Sequence, residues 1–424
     1  MTAGRPGGRA VRAAVRGFAA VAVLLAPLEA QTDRPAVRPS DRPNGSDLTV
    51  SLVTMGVGSR VWERFGHNAI LVEDRRRGTR TAYNYGLFDF RQDDFLLRFI
   101  QGRMWYWMQG FDVDAMLRSY IRDNRSVWVQ QLNLTPPERV ALRDFLEWNE
   151  RPENRYYRYD YYRDNCSTRV RDALDRVLGG RLRAATDTIA TGTTYRFHTA
   201  RLTAPDLPLY TGLAVALGEP VDREISAWEE MFLPLSLREW ARRVTVLDSA
   251  GHEIPLVRSE RTVFTSTQPE PRDRPPEWVP WYLVAGLALG GGLVGAGRRP
   301  RSALAWTASA WALLGGLTGA ILVFLWAFTD HTVAHRNENV LQASLFLLPL
   351  AVLTPALALG RSWARRPALA LAALVAAAAL SGLALKLLPG FDQRNAEVLA
   401  LAVPANLGLA LGLRRAGKAV SSKQ

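Results

Sequence analysis

Tyr161-Tyr162-Arg163-Asp164-Asn165-Cys166-Ser167-Thr168-Arg169-Val170 holds the only cysteine in the 424-residue chain. A single thiol cannot be half of an internal disulfide, so its role is packing or chemistry. Val170, Ala173, Leu174, Val177 and Leu178 follow at helical spacing, and one turn back from Val170 the same apolar face carries Cys166. Asp164 or Asn165 caps that predicted helix. A thiol in the first turn of a helix meets unpaired amides and the positive end of the dipole, which favour thiolate over thiol. The alternative is a small buried hydrophobe without reactivity.

Composition divides the chain into a polar front and an apolar back. Residues 1–30 carry Arg5, Arg9, Arg12 and Arg16 before the apolar run Phe18 to Leu28 and read as a secretory signal, with an uncleaved anchor as the alternative. The Pro-, Arg- and Asp-rich stretch 31–46 reads as a disordered lead-in. The formal charge of +13 comes almost wholly from arginine, since Lys386, Lys418 and Lys423 are the only lysines. Those arginines alternate with Asp and Glu, and an exported chain has little access to nucleic acid, so nucleic-acid binding is set aside.

A folded domain is expected over 47–257. Leu48 to Met55 alternates as a strand does, and Ala69 to Val72 with Arg80 to Leu87 reads as a hairpin. Asp94 to Met116 reads as one aromatic helix, Pro136 to Asn149 as a proline-started helix, and Gly179 to Gly218 as mostly loop. Helical signals continue over Ile225 to Phe232 and Leu235 to Arg243, followed by a short hairpin of Val244 to Leu247 with Glu253 to Val257. A Pro-rich linker, 258–277, leads to a membrane region, 278–413, and a cytoplasmic tail, 414–424.

The membrane region holds five apolar stretches: Val279 to Gly297, Ser302 to Phe328, Val340 to Leu359, Ala368 to Leu388 and Val398 to Leu413. Arginines gather after the first, third and fifth, which places those ends in the cytoplasm and the domain 47–257 outside, in the periplasm, with the chain in the bacterial inner membrane.

A thiolate nucleophile needs a base and a group that orients the base. Among five histidines, His67 stands where a loop enters a strand and is the best-placed candidate. Asn84, on the partner strand of the hairpin, is a candidate orienter, as are Asp89 and Tyr85. A structural, hydrogen-bonded histidine is the competing reading. His331 and His335 have metal-like i, i+4 spacing, but Thr332 stands where a zinc-peptidase helix carries Glu. No metal or other cofactor is expected. His198 and His252 read as loop residues. Of Trp105, Tyr106 and Trp107, at least one must be left to face a membrane interface or an acyl chain.

The chain resembles the Lnb-type bacterial membrane proteins through Phe65-Gly66-His67-Asn68-Ala69, Tyr83-Asn84-Tyr85-Gly86, Asp164-Asn165-Cys166 and Trp228-Glu229-Glu230-Met231-Phe232-Leu233-Pro234. The resemblance implies an α+β permuted papain-like domain, similar to NlpC-type peptidases, in which the histidine precedes the cysteine, followed by an all-α transmembrane bundle of about five helices. It also implies a thiol acyltransferase, with a membrane lipid as acyl donor and the N-terminus of a lipoprotein as acceptor. A thiol peptidase or amidase of the cell envelope, and an assembly protein without catalysis, are the competing functions.

Overall fold

The structure is a computed structural model that describes residues 45–297, 301–359 and 361–421. The signal 1–30, the lead-in as far as 44, Arg298 and Arg299, and the last three residues of the tail lie outside the described residues.

The N-terminal domain is organised on a seven-stranded sheet in the order β11-β5-β1-β2-β3-β4-β6. The strands are β1 (Leu48–Met55), β2 (His67–Asp74), β3 (Thr79–Leu87), β4 (Trp105–Asp112), β5 (Val127–Leu132), β6 (Tyr156–Arg158) and β11 (Val257–Phe264). Every neighbouring pair is antiparallel. Period-two alternation assigns each side chain to a face. Leu48, Val50, Leu52, Ile70, Val72, Tyr83 and Tyr85 point to one face, and Val53, Met55, Ala69, Leu71 and Ala82 to the other.

On the first face pack α3 (Pro136–Glu150), α4 (Cys166–Val177) and α9 (Pro234–Arg243) through Leu142, Leu146, Val170, Leu174, Leu237 and Ala241. The second face is covered by α2 (Val113–Arg122), with Met116 and Leu117 turned inward. A helical layer completes the domain: α5 (Arg181–Thr186), α6 (Tyr195–Thr203), α7 (Leu207–Ala216) and α8 (Ala227–Glu230), with the short ladders β7 (Ala190–Thr194) with β8 (Glu224–Ser226) and β9 (Thr245–Leu247) with β10 (Glu253–Pro255).

Several expectations are corrected. Asp94 to Met116 is three elements, not one: the helix α1 (Phe95–Gln101), strand β4 and the start of α2. Gly102, in the left-handed region at φ +73°, ends α1, and pairing of β4 with β3 then outweighs helix propensity. The stretch 179–218 is largely helical, because the Thr194 and Asp206 side chains cap α6 and α7. Ile225 to Phe232 begins as strand β8 before α8. Strand β11 continues to Phe264, within the stretch 258–277 that reads as linker.

Among the described residues the membrane region has four helices long and apolar enough to cross a bilayer, where five were expected: Val279–Ala296, Ala303–Phe328, Ser362–Leu387 and Ala396–Ala416. They correspond to α10 (Val279–Ala296), α11 (Arg301–Phe328), α13 (Arg365–Ala384) and α14 (Ala396–Ser421). The stretch Val340 to Leu359 forms only the twelve-residue α12 (Leu347–Ala358), about 18 Å long. Before it runs irregular chain that starts with a 3-10 turn at Glu338–Leu341.

Glycines of α11 admit this segment. A Cβ on Gly319 would lie 1.9 Å from Ala343 O, and one on Gly315 would lie 2.7 Å from Leu347 Cδ1. Non-helical backbone at this depth needs partners from the protein. Asn406 Nδ2 donates to Gln342 O at 3.0 Å, while Trp311 Nε1 donates to Asn406 Oδ1 at 2.9 Å.

The loops expected to face the domain do touch it. Asp330 pairs with Arg103 and Arg158 at 2.9 Å each, Asn337 Nδ2 donates to Ala216 O at 3.0 Å, and Gln393 Nε2 donates to Leu217 O at 3.0 Å.

Candidate active site

Cys166 opens α4, and Asn165 is the residue that caps it: Asn165 Oδ1 accepts from Ser167 N at 2.9 Å and Thr168 N at 3.0 Å. The cap is itself held, with Asn165 Nδ2 donating to Phe232 O and Tyr161 O at 3.0 Å each. Ser167 pins the next turn by donating to Asn68 Oδ1 at 2.8 Å, and Asn68 Nδ2 reaches on to Thr54 Oγ1 at 2.9 Å. The helix start is therefore fastened to the first residues of β2.

His67 begins β2 and, by strand parity, sits on the α2 face, where its ring stacks on Tyr120 at 6.0 Å between centroids. Its Nε2 is 3.0 Å from Asn84 Oδ1. Asn84 Nδ2 donates to Ala82 O at 2.9 Å, so its Oδ1 is the acceptor and the imidazole carries its proton on Nε2. Nδ1 is left as the basic nitrogen. The other two candidates for this orienting role are engaged elsewhere: Tyr85 OH donates to Asn149 Oδ1 at 2.8 Å, and Asp89 binds Arg91.

The histidine and the cysteine helix lie on opposite faces of the sheet, and the Ser167 to Asn68 bond ties the helix start to the residue after His67. Gly86 is the penultimate residue of β3. Its φ is +87°, and a Cβ there would lie 3.1 Å from Cys166 Cβ. The absent side chain lets the start of α4 come close to β3. Among the described residues no hydrogen bond joins the imidazole to the thiol.

Electrostatics set the resting state. Burial pushes the Cys166 thiol up to about 11, against the opposing pull of the Asn68 amide, the Arg125 charge and the amides of Ser167 and Cys166 itself. This reverses the direction expected from the helix start, because loss of water outweighs the amides. Burial also lowers His67 to about 4, Arg125 adding to the shift and the Asn84 bond opposing it. The free site therefore holds a neutral thiol and a neutral imidazole.

A pH dependence follows. The unfolded chain binds a proton on His67 at 6.5, the folded one only near 4, so stability present above 6.5 is lost as pH falls toward 4, by up to about 3 kcal/mol. Thermal unfolding of wild type and His67→Gln at several pH values checks this. The wild-type midpoint is expected to fall more steeply through that window than the variant's.

Sequence reading alone missed Asn68, Gly86, Tyr120 and Arg125. Arg125 lies 4.7 Å over the Tyr120 ring and donates to Gly56 O at 2.9 Å. The Gly86 position was legible in principle, since a glycine closing a Tyr-Asn-Tyr strand signals close backbone approach. Gly86→Val is expected to lower any Cys166-dependent turnover about 100-fold, since displacing a nucleophile by about 1 Å has that effect. Turnover measured beside the melting temperature separates displacement from unfolding.

The two membrane-side histidines are hydrogen-bonded to backbone. His331 Nε2 lies 2.8 Å from Phe99 O and His335 Nε2 lies 3.0 Å from Thr329 O, on a 3-10 turn rather than one α-helical face. Among the described residues no three or more His, Cys, Asp or Glu side chains gather in a way that would hold a metal ion. His198 is buried in α6, bonded to Thr193 Oγ1 at 2.9 Å, and His252 ends a turn with Asp248.

Comparison with known proteins finds a match over the part of the chain that carries these residues. Residues 40–202 match the family model described as the Lnb N-terminal periplasmic domain, a range that contains His67, Asn84 and Cys166. No curated protein and no solved structure matches the chain. Residues 40–202 are thus an Lnb N-terminal periplasmic domain, joined in one chain to four long apolar helices that make this a membrane protein.

Proposed function

We propose that this protein is a membrane-bound thiol acyltransferase that forms a thioester on Cys166 and passes the acyl chain to the N-terminal amine of bacterial lipoproteins, on a permuted papain-like domain. The observation that carries the reading is the capped helix start bearing Cys166, seated against the two strands that also carry His67 and Asn84.

In the first half-reaction the thiol proton passes to His67 Nδ1 as Sγ attacks the ester carbonyl of a membrane lipid. The imidazolium keeps its Nε2–H on Asn84, and backbone amides near Asn68 and the start of α4 stabilise the oxyanion. The ester C–O bond breaks, and His67 returns the proton to the departing alkoxide, leaving lysolipid and thioester. In the second half-reaction the amine attacks the thioester carbonyl, the C–S bond breaks, and the amine proton passes by way of His67 to the departing sulfur, which restores the thiol with an amide as product. The neutral resting pair suits this order, since the thiolate then forms only with substrate present.

Mass spectrometry of lipoprotein N-terminal peptides tests the proposal, in cells that lack their own N-acylation enzyme and either express this protein or do not. An amide-linked acyl chain in the expressing cells alone is the expected result. A free amine in both overturns it, and cut cell-wall peptides in place of acylation move the chemistry to a hydrolase.

A further inference from the structure

Helix α1 has no buried residue. Its sequence is Phe95-Leu96-Leu97-Arg98-Phe99-Ile100-Gln101, with Leu96 69% and Leu97 52% exposed and Phe99 and Ile100 also exposed. A contiguous apolar patch of this kind marks a surface that another phase or partner covers.

The attachment of α1 identifies the cover. Asp330 N donates to Gln101 O at 2.8 Å, His331 Nε2 bonds Phe99 O at 2.8 Å, and a Cβ on Gly102 would come within 2.8 Å of His331 N. These partners begin two residues beyond the membrane helix α11, which ends at Phe328, itself 71% exposed. Two residues of chain span at most about 7 Å. The apolar part of α11, Ala303–Phe328, has 26 residues and is about 39 Å long, more than the roughly 30 Å of bilayer hydrocarbon. The end of α11 therefore lies among lipid head groups, and α1 is fastened there with it.

We infer that α1 is an interfacial membrane helix whose Leu96, Leu97 and Ile100 enter the leaflet on the side of the N-terminal domain. Beside it an open groove joins the rings of Trp105, Trp107 and Tyr156 to a charged rim that includes Arg98, Asp89 and Asp93, the mixture of aromatic and polar side chains found at head-group depth. The placement has a further effect. Rings run from α1 toward the thiol, Phe95 to Phe88 at 6.3 Å, Phe88 to Tyr106 at 5.0 Å and Tyr106 to Tyr159 at 4.2 Å, and the Tyr159 phenol is close enough to Cys166 to feel its charge. An acyl chain tilting out of the leaflet beside α1 would meet this row of rings, which leads toward the helix start that bears Cys166. The membrane contact itself stands whether or not the thiol transfers acyl groups.

The test uses the full chain with Cys166→Ser and one new cysteine, Leu97→Cys, carrying a nitrobenzoxadiazole label. The protein is placed in phosphatidylethanolamine–phosphatidylglycerol vesicles containing lipid with a doxyl quencher near the head group. A label at Leu314→Cys, on α11, reports the bilayer, and one at His252→Cys, 78% exposed, reports water. Several-fold stronger doxyl quenching at 97 than at 252, with protection from aqueous iodide, is expected. Iodide quenching equal to that at 252, with none from the lipid, overturns the inference. A label at Leu96→Cys must give the same result, so that a disturbance by one label cannot decide the outcome.

Discussion

Cys166→Ala is expected to abolish the proposed N-acylation, with a loss of at least about 10⁴-fold, in the mass-spectrometric measurement of lipoprotein N-termini. The size follows from the role, since removing a covalent nucleophile takes away the whole path through the acyl-enzyme rather than one stabilising contact. The fold tolerates the change: Cys166 is only partly buried, and the α4 cap and the Ser167 to Asn68 bond do not involve its sulfur. His67→Ala is expected to cost about 10² to 10⁴-fold, the usual worth of a general base. Nucleophile and base act as one unit, so the double variant is expected to be no worse than Cys166→Ala alone. Full N-acylation by Cys166→Ala returns the thiol to a packing role and overturns the acyl-enzyme mechanism.

The largest expected effect on stability is at Arg196. Its Nε donates to Asp222 Oδ1 at 2.7 Å and its Nη2 to Asp222 Oδ2 at 3.0 Å, with both side chains almost fully buried. Nη2 also holds Leu217 O at 2.9 Å and Gly218 O at 3.0 Å. Arg196→Ala strands a buried carboxylate whose remaining donor is the Arg394 amide at 3.1 Å, and breaking such a pair from one side costs about 3 to 5 kcal/mol. Gly218 N donates to Val333 O at 2.8 Å, so the same change loosens the seat of the domain on the loop after α11. Thermal unfolding in detergent reads the first effect and limited proteolysis near Gly218 the second. Arg196→Met combined with Asp222→Leu is expected to recover much of the loss, since no lone charge then remains buried. A single variant as stable as wild type refutes this account.

How much of this was legible in the sequence depended on whether the signal was local. The Cys166 helix was readable from its cap and apolar period, and the β2–β3 hairpin from alternation, which also placed His67 and Asn84 on adjacent strands. Strand β4 was not, because Trp105-Tyr106-Trp107 follows a helical aromatic run and only its pairing with β3 makes it a strand. The pairing shows in the alternation of its side chains: Trp105 is exposed while Tyr106 packs on the core. The direction of the Cys166 shift was also out of reach, since dipole and amides can be inferred from position but the depth of burial depends on Tyr157, Tyr159 and Gly86, which come from other parts of the chain. The third apolar stretch misled because hydropathy counts residues without asking whether they are helical.

That stretch bears on how the protein is made. A helix of twelve residues is too short to be recognised and released into lipid by itself during synthesis, and the irregular chain before it carries Asn339, Gln342 and Ser344. It can enter the bilayer only alongside α11, which offers Gly315 and Gly319 as a seat, and it is secured only when α14, translated after it, delivers Asn406 to the Gln342 carbonyl. Assembly of the membrane half is therefore not a sequence of independent insertions in chain order. The ribosome must pass α14 before the middle of the bundle can close, and a truncation ahead of α14 would leave a chain for the quality-control proteases to find.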